Sequence, residues 1–257
     1  MCLASKLKKG LKFFVFYAAS FFVLLAAYAI YLFASVPDTA VWTSQNPKTT
    51  AFMQSRLAEG ETSKSSSKIK YRWIPYHQVP HLMRRTLVVA EDAAFWQHHG
   101  IDWFEVKESI KKNWEERRYA RGASTITQQL ARNLYLSPEK TISRKIREVM
   151  ITRDLEKNLK KSRILELYMN VVEWGPNVFG IRAASQYYFG KMPSELQLHE
   201  MVRLAAILPN PHRMNAARVN QAVYWRSMEI LKRLRDASFI SQAQFETTRW
   251  QLNRLKR

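Results

Sequence analysis

The sequence predicts an all-α domain carried behind a single transmembrane helix. Three observations lead there. Residues Phe13 to Phe33 form an uncharged run of 21, FFVFYAASFFVLLAAYAIYLF. From about Tyr71 onward, apolar residues recur at helical spacing between recognisable caps. No sustained alternating run bounded by Asn-Gly or Asp-Gly argues for a sheet-based fold. The 257 residues leave room for one domain, or two small ones, plus an appendage. A hydrophobic content of 47% excludes a disordered chain, and a single cysteine excludes both a disulfide scaffold and a cysteine-based zinc site. The mean hydropathy of −0.34 excludes a polytopic membrane protein but is compatible with one anchor.

The uncharged run is long enough for that anchor. At about 1.5 Å rise per residue it spans roughly 30 Å, the hydrocarbon thickness of a bilayer, and it exceeds the roughly 7–15 residue core of a cleaved signal peptide. Lys6, Lys8, Lys9 and Lys12 precede it without an acid among them, whereas Ala34 to Thr50 hold only Lys48 and Asp38. This bias keeps residues 1–12 in the cytoplasm and sends everything after Phe33 across the membrane. Setting aside those four lysines leaves 37 basic against 21 acidic groups, so the exported part carries +16 of the total +20. An anionic partner follows, and an extracytoplasmic site favours a lipid-borne anion over nucleic acid.

Residues 34–70 read as a linker. They hold Pro37, Pro47 and the polar run Glu61 to Lys68, with an apolar patch at Phe52, Met53 and Leu57 suited to a half-helix resting on the bilayer. Residues 71–257 read as one helical domain. A first helix is expected from His81 to about His99, stopping at Gly100. Ser124 or Thr125 caps a second, which carries Ile126, Leu130 and Leu134 on one stripe. Ser137-Pro138-Glu139 opens a third, and Lys161 to Trp174 a fourth, ended by Gly175-Pro176. Leu198 to Leu208 is apolar on several faces and reads as a core helix. Ile230, Leu231 and Leu234 lie in the tail, where Ser241 and Gln244 form a capping box for the last helix.

Three clusters have the residue types for chemistry. Glu91 and Asp92 lie among Val88, Val89, Ala90, Ala93, Ala94 and Phe95. Most such pairs are solvated; here at least one carboxylate borders apolar surface, where desolvation raises its pKa and suits it to proton transfer. His98 and His99 are adjacent and lack metal-ligand spacing. The second cluster, Gly122 to Gln129, reads either as an ordinary N-cap with a polar face or as an anion-holding helix start. In the third, Lys140, Arg144 and Glu148 fall at i, i+4 and i+8, with Arg132 before them and Lys145 and Arg147 beside them. This is either a solvated, salt-bridged helix or a cationic seat for a phosphate with one carboxylate held inside it.

Taken in order, these pieces resemble the peptidoglycan glycosyltransferases (glycosyltransferase family 51). The matching segments are Glu91-Asp92-x-x-Phe95-x-x-His98-x-Gly100, Gly122-Ala123-Ser124-Thr125-Ile126-Thr127-Gln128-Gln129 and Arg144-Lys145-x-x-Glu148. Arg163-Ile164-Leu165-Glu166-x-Tyr168-x-Asn170, then Gly175, Gly180 and Tyr188-Phe189-Gly190-Lys191, complete the set. The resemblance covers roughly residues 70–215, and length and the single anchor look like the stand-alone, monofunctional members. A Ser-x-x-Lys occurs at Ser65 to Lys68, but no Lys-Thr-Gly does, so no transpeptidase activity is expected.

The resemblance implies a lysozyme-like helical domain that polymerises lipid II into β-1,4-linked glycan. The acceptor 4-hydroxyl attacks donor C1 with inversion, and undecaprenyl pyrophosphate leaves. It further implies Glu91 and Glu148 as the catalytic carboxylates, Glu91 being the base. Ser124, Thr125, Gln128, Gln129, Arg132, Lys140, Arg144 and Lys145 are then the substrate- and pyrophosphate-binding set. No cofactor is required by it, with a divalent cation such as Mg2+ or Mn2+ the one option. Its partners are lipid II, the growing glycan chain, the membrane and other cell-wall synthesis or division proteins, with no nucleic acid. The place it implies is the inner membrane, with the catalytic domain periplasmic. The competing readings are a lytic enzyme cleaving the same glycan, for which a pyrophosphate seat is superfluous, and a non-catalytic anchored scaffold.

Overall fold

The computed structural model describes residues 2–62, 68–116, 122–139 and 141–256. The chain divides between Asp38 and Thr39 into two units. The first is a single helix, α1 (Cys2–Ala34), whose stretch Lys12–Ala34 is long and apolar enough to cross a membrane. Most of its large apolar side chains between Phe13 and Phe33 are exposed, the surface a lipid-facing helix presents.

The second unit begins with α2 (Ala51–Thr62), α3 (His81–Glu91), α4 (Trp103–Glu115), α5 (Ile126–Tyr135) and α6 (Ile142–Asn158). It continues with α7 (Lys161–Val171), α8 (Ile181–Phe189), α9 (Leu198–Ile207), α10 (Gln221–Asp236) and α11 (Gln242–Leu255). These helices pack in two groups. Around α9, whose Met201, Val202, Leu204, Ala205, Ala206 and Ile207 are all buried, lie α3, α10 and α11. Around α5 lie α2, α6 and α7, and α8 touches both α7 and α9 and so joins the groups. Each fully buried Leu or Ile in such a core contributes roughly 1.5–3 kcal/mol.

Several expected boundaries move, each for a local reason. The helix from His81 ends at Glu91, not near His99, because Asp92 leaves the helical region (φ −163°, ψ 77°) and its carboxylate bonds elsewhere. The helix expected at Ser137-Pro138-Glu139 starts at Ile142. Thr141 is its N-cap, accepting the Arg144 N–H at 3.2 Å, and Leu136 before it is extended. Lys140 therefore precedes the helix and lies outside the described residues.

The helix from Lys161 stops at Val171, because residues Glu173–Gly175 are drawn into a sheet that the sequence did not announce. Its strands β1 (Lys70–Tyr71), β2 (Glu173–Gly175) and β3 (Val178–Phe179) are too short to display alternation. β3 is central, parallel to β1 and antiparallel to β2. The caps at Thr125/Gln128 and Ser241/Gln244 form as reciprocal capping boxes.

The segment 34–70 is less of a linker than its composition suggests. The second unit starts at Thr39, whose hydroxyl donates to Asp154 at 2.8 Å, while Trp42 Nε1 donates to the Tyr135 hydroxyl. Arg163 donates to the carbonyls of Trp42 at 2.8 Å and Gln45 at 2.5 Å. The patch expected to rest on the bilayer is part of α2; Met53 is buried in the protein and Arg56 pairs with the buried Glu173 at 3.1 Å. Residues 63–67 of the polar run lie outside the described residues.

Asn170 connects this architecture across a long sequence gap. Its amide behaves as a backbone mimic, accepting the Ile74 N–H at 2.8 Å and donating to the Ile74 carbonyl at 2.9 Å. Beside it Gly180 has φ +83°, and a Cβ there would lie 2.6 Å from the Asn170 carbonyl, so only glycine fits. Replacing Asn170 with Leu strands two buried backbone groups, each costing about 1–3 kcal/mol. Asn170→Leu is expected to lower the unfolding free energy by about 3 kcal/mol in urea melts, with an unchanged m-value. A loss under about 1 kcal/mol would show that the clasp is dispensable.

Candidate active site

Glu91 is the last residue of α3, and its carboxylate lies in the wall of a cleft of about 910 Å³. Residues from both helix groups line that cleft. They include Glu91 from the end of α3, Ser124 and Thr125 before α5, Gln129 and Arg132 on α5, and Arg226 on α10. Gln129 Nε2 donates to Glu91 Oε2 at 3.1 Å, and Arg226 Nη2 to Oε1 at 3.3 Å. Burial raises the Glu91 pKa, opposed in part by the positive charge of Arg226 and the amide of Gln129. The carboxyl is thus easier to protonate than an ordinary glutamate, the property a proton acceptor needs.

Asp92, next in sequence, has a different task. It is buried and accepts the Ile126 N–H at 2.9 Å and His98 Nε2 at 2.9 Å. His98 Nδ1 in turn accepts the Gly100 N–H at 3.1 Å, which places the ring proton on Nε2. An acid at the first N–H of α5 also faces the positive end of that helix. The loop between α3 and α4 is further anchored by fully buried Phe95. Its Gly100 has φ +89°, and a Cβ there would meet Thr152 at 2.7 Å. Both adjacent carboxylates line the cleft, and Asp92 also holds the loop that shapes it.

The expected substrate residues divide between these tasks as well. Thr125 lines the cleft but spends its hydroxyl on structure, donating to the Gly100 carbonyl at 2.6 Å and accepting the Gln128 N–H at 3.2 Å. Gln128 is buried, completes the cap by accepting the Thr125 N–H at 3.1 Å, and is not among the lining residues. Glu148, Arg144 and Lys145 cluster on α6, where Glu148 is buried and accepts from Arg144 Nη1 at 2.8 Å and from Lys145 Nζ. None of the three is among the residues lining the cleft, although α6 packs on α5.

Residues 59–235 match the family model described as Transglycosylase. The chain belongs to the transglycosylase family. Among its relatives is the biosynthetic peptidoglycan transglycosylase of Nitrosomonas eutropha (strain DSM 101675 / C91 / Nm57), 41% identical over 82% of this chain and 87% of the relative. Proteins of the same name from Azoarcus sp. (strain BH72) and Nitrosospira multiformis are 42% and 39% identical. The first covers 75% of this chain and 82% of its own length, the second 88% and 95%.

Among the cleft-lining residues of this lysozyme-like transglycosylase domain that the sequence did not single out are Arg226, Glu229 and Arg233, all from α10. Their i, i+3, i+7 spacing is a helical stripe, but 135 residues separate Arg226 from Glu91 and nothing in the order of motifs links them. The Nε of Arg226 is buried with no hydrogen-bond partner among the described residues.

The raised Glu91 pKa carries a stability consequence. Over the interval between the unfolded value and the raised folded value, the folded transglycosylase keeps a proton that the unfolded chain has released. Stability therefore falls as pH rises through that window. Glu91→Gln has no such loss, so its melting temperature is expected to gain on the wild type as pH rises above the ordinary glutamate range. A difference independent of pH would contradict the raised pKa.

Proposed function

We propose that this transglycosylase polymerises lipid II into β-1,4-linked glycan strands, with Glu91 as general base. The observation that carries the reading is a nearly buried carboxylate of raised pKa in the wall of a cleft that Arg132, Arg226 and Arg233 also line. A sugar hydroxyl is a weak nucleophile at neutral pH, so a base must take its proton as the new bond forms. The acceptor 4-hydroxyl attacks donor C1, its proton passes to Glu91, and the C1–O bond breaks with inversion. The electron pair leaves with undecaprenyl pyrophosphate.

Charge accumulates on that pyrophosphate, and fixed cations in a partly dry cleft stabilise it as an oxyanion site does. Arg132 is assigned to this charge. Arg144 and Lys145, pinned by Glu148, supply a second rank of positive charge together with Lys140. Glu148 then acts by orienting its two cations. Ser124 and Thr125 border the sugar-binding wall. The relatives named biosynthetic peptidoglycan transglycosylases support the substrate class. The reading needs no cofactor, and with no Lys-Thr-Gly in the chain it assigns peptide cross-linking to other enzymes.

The apolar helix and the four lysines before its apolar run support a single-pass placement in the inner membrane, with the N-terminus cytoplasmic and the catalytic domain periplasmic. Lipid II and the growing strand are thus met at the membrane surface, alongside other cell-wall synthesis proteins.

The test is polymerisation of labelled lipid II by detergent-purified protein. Wild type is expected to make long glycan, and folded Glu91→Gln to fall by at least about 100-fold, the scale of a lost general base. Fragmentation of preformed glycan without polymerisation would support the lytic reading instead. Activity that persists in a chelator lane would exclude a divalent-cation requirement.

A further inference from the structure

Gln129 faces Glu91 with one end of its amide and a fully buried tyrosine with the other. Tyr168, on α7, has its hydroxyl 3.1 Å from Gln129 Oε1, and Gln129 Nε2 lies 3.1 Å from Glu91 Oε2. We propose that Tyr168 is a positioning residue that acts through Gln129 to hold Glu91 as an oriented, ionised base. The inference rests on Glu91 being the base of the reaction proposed above.

An amide has a donating end and an accepting end, and nothing local decides which way it points. Here the Tyr168 O–H donates to Oε1, which turns the N–H end toward the carboxylate. Every donor in the chain then points at Glu91, the arrangement that favours its charged form. In the opposite orientation Oε1 would face an ionised carboxylate, acceptor against acceptor. Burial holds the Tyr168 hydroxyl well above its ordinary pKa, helped by the negative charge of Glu91, so it remains a donor at working pH.

The other charged groups around Glu91 do not replace this function. Arg226 on α10 reaches the other carboxylate oxygen, Oε1; Arg132 on α5 acts by its field; Asp92 is engaged by His98 and the Ile126 N–H. Glu229 and Arg233 line the same cleft farther along α10. Only Gln129 donates to Oε2 among the described residues, and only Tyr168 occupies the far end of its amide. Tyr168 is not a cleft-lining residue, so an effect of its hydroxyl on turnover cannot come from contact with substrate.

Tyr168→Phe removes one oxygen and keeps the ring packing. The freed Gln129 amide no longer holds its N–H on Glu91, and losing a hydrogen bond to a charged group corresponds to about one pKa unit. The acidic limb of the kcat/KM profile for lipid II polymerisation is therefore expected to move up by about one unit. Turnover should fall about tenfold below the wild-type limb and recover toward wild type at alkaline pH, with KM unchanged. Gln129→Leu should shift the limb the same way, and adding Tyr168→Phe to it should do nothing further, since the two act in series. An unshifted limb in both variants, a Gln129→Leu effect confined to KM, or additive effects would overturn the inference. Should Tyr168→Phe fail to fold, an unshifted limb in Gln129→Leu still overturns the inference. Failure of the parent reading is distinguishable: there Glu91→Gln itself would retain turnover, whereas an inert Glu91→Gln beside unshifted variants sinks only the relay.

Discussion

The site depends on the hydrogen bond from the Ile126 N–H to the Asp92 carboxylate. That contact ends α3 one residue earlier, so that Glu91 closes the helix instead of continuing along it. It also brings the start of α5 against the end of α3, although 34 residues separate the partners. His98 and Gly100 complete the arrangement, and Thr125 ties back to Gly100 from the other side. With the loop and helix start locked together, Gln129 is carried one turn along α5 to meet Glu91. A buried acid satisfied by donors on several sides is costly to disturb, which is why a carboxylate serves here as structure.

Three carboxylates in this domain illustrate how environment divides roles among identical groups. Asp92 is spent on backbone and imidazole donors. Glu148 is buried against two cations on its own helix, at i−4 and i−3, and so immobilises Arg144 and Lys145. Glu91 is desolvated in the wall of the cleft, with only one amide and one guanidinium at its oxygens. Its raised pKa follows from having fewer compensating donors than its burial demands. A domain with so large an excess of positive charge can keep such a carboxylate beside several cations and still leave it able to take a proton.

The start of the second unit shows a related economy. Residues whose composition resembles a loose connector are held by specific polar contacts: Thr39 to Asp154, Arg163 to two carbonyls, Arg56 to Glu173. These bonds use side chains from α6, α7 and β2, so a segment with few apolar residues is ordered by the groups it meets rather than by its own hydrophobic face.

Elements with short-range signals are legible in the chain alone. The uncharged run specifies a helix able to cross a bilayer, and the apolar stretch Leu198 to Leu208 a core helix. Ser124 or Thr125, and Ser241 with Gln244, specify helix starts, because a cap is decided within four residues. Ordered motifs brought Glu91, Ser124, Thr125, Gln129 and Arg132 together as candidates, and the fold gathers them on one cleft. Tertiary structure decided what depends on distant partners. It ended α3 at Glu91, set Glu148 with its cations apart from the cleft lining, and brought in Arg226 from α10 and Tyr168 from α7. The physical reason is that helix periodicity and capping are short-range, while burial, donor direction and the pKa of a carboxylate are set by residues the chain meets only after it has folded.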